Sequence, residues 1–153
     1  LADDTYVILK LHLDGSRYAV AGIGLHWLWP WTPMHFRRSF LSEFPTLQDD
    51  FEEWAGVLHL QISEFLAFTQ AAIEAGSFGV VSRCFGIANA ALIEGNDSLR
   101  NAIYVSYLEH LDFRTEGGKQ AKQLMPTELM QGRNDILDYN EQLLGRKWPT
   151  DDR

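Results

Sequence analysis

Residues 71–97 read AAIEAGSFGVVSRCFGIANAALIEGND, and two helix corners stand in this stretch with an amphipathic period between them. Gly76 is a natural helix stop, and Ser77 offers a cap for the next helix. Phe78, Val81, Cys84, Phe85, Ala88 and Leu92 then recur three or four apart, the stripe of a helix with one buried face, until Gly95 ends it. Asp97 can cap a further helix. Upstream, Leu47, Phe51, Trp54, Leu58, Ile62, Phe65, Thr69 and Ile73 extend the same period back to Thr46, with a break expected at Gly56. Downstream, a helix over roughly 98–112 buries Leu99, Ile103, Leu108 and Leu111 before RTEGGK, residues 114–119, interrupts it. A short turn around KQAKQLM precedes Pro126, and a last helix runs to about Leu144, with Leu129, Ile136, Leu137, Leu143 and Leu144 on or near its inner side. Two corners of this kind suggest a small repeat-like stack, though two units do not establish a repeat.

Ahead of the helices the period changes to two. TYVILKLHL, the turn DGS and RYAVAGIGLHWLW read as a β-hairpin, with Val7, Leu9, Leu11 and Leu13 on one face. The expected fold is therefore α+β and mostly α: an N-terminal β-hairpin packed on four to five helices. One domain covers 1–153, with hairpin and aromatic connector in 1–45, helices in 46–145 and a tail in 146–153. Trp27, Trp29 and Trp31 alternate in GLHWLWPWTP, so an extended chain puts them on one side, and Pro30 confines that strand to an edge. They form either a core wall against Phe51, Trp54 and Phe65 or an exposed patch awaiting a partner.

The 153 residues carry 46% hydrophobic and 22% charged side chains, the balance of a folded protein. No apolar run reaches the roughly 20 residues that span a bilayer. The lone Cys84 forms no internal disulfide, which favours a reducing, cytoplasmic setting. The net charge of −8 is concentrated. Residues 39–82 hold Glu43, Asp49, Asp50, Glu52, Glu53, Glu64 and Glu74 without one Lys or Arg. Such a surface repels nucleic acid and attracts basic proteins. Carboxylates in a first helical turn are stabilising in themselves, which accounts for part of DDFEE but not for 44 positions without a cation.

Signatures of catalysis are weak. The five histidines include neither an H-x-x-x-H nor an E-x-x-H pair, and no nucleophile elbow, phosphate loop or dinucleotide fingerprint occurs. No metal or cofactor is expected. Glu109 and His110 in LEHLD, with Tyr107 or Tyr104, are the candidate catalytic groups, against the simpler reading of a helix end with satisfied polar side chains. Cys84 lies in an apolar stripe and reads as a buried structural thiol.

Residues 63–113 carry EF-x-x-F, EAG-x-F, EG-N-D and RNAIYVSYLEHLDF, and in these they resemble a family of small helical bacterial domains with no assigned activity. The resemblance implies a helical module and a protein-partner role like that of toxin-immunity proteins. It brings no catalytic residues.

Three functions fit. The first is an immunity or antitoxin-like inhibitor that holds a basic partner, such as a toxin, through Asp49, Asp50, Glu52 and Glu53, with Trp27, Trp29 and Trp31 as anchors. The second is a small enzyme or ligand-binding protein with a pocket between hairpin and helices. The third is a homo-oligomer with the tryptophans at its interface.

Overall fold

Proline at the first position of a helix sacrifices no hydrogen bond, because the N–H it lacks has no partner there. Pro33 takes that position in the computed structural model, which describes residues 30–145, and opens helix α1, Pro33–Glu43. The backbone N–H of Thr32 donates to His35 Nδ1 at 3.1 Å, a histidine version of the capping box. Phe36, Phe40 and Phe44, four residues apart, all turn inward. A 3₁₀ turn, Pro45–Leu47, leads to α2, Gln48–Glu53, and a tight turn leads on to α3, Leu58–Glu74. Then come α4, Phe78–Glu94, α5, Asp97–Ser106, a second 3₁₀ turn, Leu108–His110, α6, Glu116–Lys122, and α7, Thr127–Leu144.

The described residues thus form a helical bundle, and the α+β expectation is corrected. They contain seven α-helices and no strand; their one extended pairing is an isolated bridge between Trp31 and Gly95. The β-hairpin read over the first residues lies outside the described part. Within it, residues 33–43, placed in the hairpin and aromatic connector, are α1. Four-residue spacing of three phenylalanines behind a Thr-Pro start outweighs the aromatic, strand-like look of the segment before it.

At the corners Gly76 and Gly95 end their helices as expected, and the caps differ from the expectation. Gly76 has φ +66°, the left-handed value that suits glycine at a helix end. Ser77 begins α4 without a side-chain cap bond. Gly95 is extended, and its hydrogen is needed because a Cβ there would collide with the carbonyl oxygen of Ala91. The cap of α5 is Asn96, whose side chain accepts from the Leu99 N–H at 2.9 Å, one residue before the expected Asp97.

Helices α3, α4 and α5 pack on one another, α1 and α7 lie against α4, and α6 against α3. Phe65 of α3 meets Phe36 and Phe40 edge-on at 5.2 and 5.0 Å and stacks on Tyr107 at 4.7 Å. Each fully buried ring contributes about 1.5–3 kcal/mol from apolar burial. This aromatic centre ties α1 to α3 and, through the Phe40–Phe51 contact at 4.9 Å, fixes where α2 is presented.

Candidate functional site

Helix α2 is short and carries its acids at both ends. Asp49 and Asp50 lie in its first turn, where the helix dipole favours them; Glu52 and Glu53 lie in its last, where it does not. Phe51 points into the core, so the four carboxylates stay exposed around it. Cations reach this segment from elsewhere in the chain. Arg37 of α1 bonds Glu52 at 3.0 Å, and Arg83 of α4 bonds Glu43 at 3.5 Å while lying 5.0 Å from the Phe44 ring centre. Gln48 donates a further bond to Glu52. Among the described residues no ion pair engages Asp49, Asp50 or Glu53.

Beyond α2 the chain turns through Gly56, φ +83°, and presents apolar side chains. Val57 is 47% and Leu60 39% exposed, and Trp54 is half-buried beside them. Acidic and apolar groups thus follow one another over residues 49–60. Trp27 and Trp29 are outside the described residues. Trp31 is half-buried and packs against the core, its backbone N–H donating to the Glu94 carbonyl and its carbonyl accepting from the Asn96 N–H.

The candidate catalytic groups differ in exposure. Tyr107 is fully buried and its hydroxyl donates to Thr69 Oγ1 at 3.2 Å; burial pushes its pKa well up. Glu109 and Tyr104 are half-buried, and His110 is exposed at the end of its 3₁₀ turn. A hydroxyl sealed in the core cannot share a substrate with an exposed imidazole. Cys84 is buried too, and desolvation raises its thiol to about 11 against the lowering effect of its bond to Thr69.

Three polar features have no counterpart in the sequence reading. His59 Nδ1 lies 2.8 Å from Ser106 Oγ, joining α3 to α5 across 47 residues. A serine–histidine contact is the start of a nucleophile pair, but Ser106 is itself buried and no carboxylate among the described residues bonds His59. Arg133 is 1% exposed, donates to the Leu111 carbonyl at 3.0 Å and lies 4.9 Å from the Phe113 ring centre. Asp112 accepts from Arg114 at 2.6 Å, and the hydrogen bonds from Arg114 hold its carboxyl down at about 2. The first two are long-range contacts with no local sequence signal, apart from an arginine at an inward position of an amphipathic helix, whereas Asp112 and Arg114 are two residues apart.

Among the described residues no group of three or more His, Cys, Asp or Glu is arranged to hold a metal, and no helix is long and apolar enough to cross a membrane. No curated protein and no solved structure matches this chain. One family does, described as Domain of unknown function (DUF7674), over residues 37–143. The match extends well beyond residues 63–113, taking in most of α1 and nearly all of α7. Spanning more than half of the sequence, it shows that the chain belongs to the DUF7674 family.

Proposed function

We propose that this domain is a protein-interaction module: a bacterial, cytoplasmic inhibitor of the immunity or antitoxin type that holds a basic partner through α2. The observation that carries the reading is Glu53, exposed at the unfavourable end of α2 with no ion pair among the described residues, beside the equally unengaged Asp49 and Asp50. A charge such as that of Glu53, without an ion-pair partner among the described residues and against the helix dipole, does not serve the fold. A basic protein approaching this surface is steered by charge and then held by contacts at the neighbouring apolar corner. Glu52 has a second duty, because it also anchors Arg37.

The test is a triple reversal, Asp49→Lys, Asp50→Lys and Glu53→Lys, which spares Glu52. A basic partner is first captured from the native lysate at low salt, and its affinity for wild type and variant is then measured across salt concentrations. Binding should weaken about tenfold or more at low salt and lose much of its salt dependence, with an unchanged circular dichroism spectrum. Equal affinity for both proteins at every salt concentration removes α2 from the mechanism.

A further inference from the structure

We infer that the outward face of α3 is a docking surface for a cationic amphipathic helix of a partner protein, an inference that rests on the interaction reading and names the partner's recognition element. At 3.6 residues per turn, positions 60, 63, 64, 67, 71 and 74 fall on one side of this helix, and Val57 precedes its first turn. All are exposed except Glu64, which is half-buried. The side they form is apolar through Leu60, Ala67 and Ala71, with exposed Val57 just ahead of it, and negative at Glu64 and Glu74. Asp49, Asp50 and Glu53 lead into it through the Gly56 turn.

Two properties of this face define its occupant. Over the 17 residues of α3, a length of about 25 Å, there is no Lys or Arg, whereas an ordinary solvated helix intersperses cations as partners for its acids. Charge complementarity therefore calls for Lys or Arg on the incoming element. Alanines at 67 and 71 leave low ground between Leu60 and the helix end, and small side chains let a second helix come within about 8–10 Å, axis to axis. The complement is a helix with an apolar ridge flanked by cations. A second copy of this chain is a poor occupant, because the same α3 face would bring acids against acids.

Two lysine–leucine peptides of identical composition, matched in length to α3, test this. One is ordered to place every leucine on a single helical face, and the other is scrambled. Titrated into the full-length protein at low and moderate salt, the ordered peptide should bind about tenfold more tightly or better. Ala67→Lys with Ala71→Lys should abolish that advantage, and Leu60→Lys alone should reduce it. Leu143→Ser, on the exposed apolar end of α7, should leave it unchanged. Equal binding of both peptides leaves the acidic reading standing and overturns the α3 face. An ordered-peptide advantage untouched by the α3 substitutions, or removed equally by Leu143→Ser, also overturns it. Binding of neither peptide at low salt overturns both.

Discussion

Thr69 is the hub of the buried polar centre, and replacing it with valine should cost more than removing the hydroxyl it serves. Thr69 Oγ1 donates to the Phe65 carbonyl at 2.8 Å and accepts from Tyr107 at 3.2 Å, and the Cys84 thiol bonds to the same side chain. Tyr107→Phe deletes a donor while Thr69 keeps its bond to Phe65, so the loss is that of one net hydrogen bond, about 0.5–1.5 kcal/mol. Thr69→Val conserves shape but strands the Tyr107 hydroxyl, fully buried and away from water. The cost of such an unsatisfied group is about 1–3 kcal/mol. With Tyr107→Phe added, the stranded hydroxyl disappears, and the double variant should be at least as stable as Thr69→Val alone, well short of the summed losses. Urea denaturation of the four proteins, read by tryptophan fluorescence and circular dichroism, gives the cycle. Strictly additive losses, or a Thr69→Val variant no weaker than Tyr107→Phe, would refute the hub.

Two glycines should respond in opposite senses. Gly86→Ala, in the middle of α4 with no atom within 4 Å of the added methyl, should raise stability by about 0.5–1 kcal/mol. Gly95→Ala drives its methyl into the Ala91 carbonyl and should destabilise by about 1–3 kcal/mol or more, and thermal melts of the pair read both signs. Cys84, with its thiol at about 11, should resist a water-soluble disulfide reagent at pH 8 in the native protein and react at once in urea. Asp112 has its pKa lowered from an ordinary 3.8 to about 2 by its bonds from Arg114, so the stability it supplies is complete above about pH 5 and is lost as pH falls toward 2. Asp112→Asn should therefore melt lower at neutral pH and show a shallower decline between pH 4 and pH 2.

The helices that the sequence shows most clearly are those with a dense apolar stripe between two corner residues. The stripes of α3 and α4, the turn at Gly56 and the last helix up to Leu144 appear where periodicity puts them. Helix α5 ends at Ser106 rather than near 112, because the chain tightens into a 3₁₀ turn that buries Leu108 and then bends at Leu111 to meet Arg133. Such a bend depends on a partner 22 residues away and has no local signal. Helix α1 does have one: Thr32-Pro33 and the Phe36, Phe40, Phe44 spacing are helix signals, but Trp27, Trp29 and Trp31 lend the segment the look of a strand. The acidity of α2 is legible as charge. Its division into Glu52, tied to Arg37, and Asp49, Asp50 and Glu53, left to the surface, is not, since it turns on where α1 crosses α2.

Mapping amide chemical shifts by NMR while the basic partner is titrated in tests the docking surface most directly. The largest changes should fall on residues 49–60 and on the outward positions of α3, and they should fade as salt is raised. Changes concentrated on Tyr104–His110 or on the Tyr139 and Leu143 end of α7, or a response indifferent to salt, would contradict an acidic docking face built from α2 and α3.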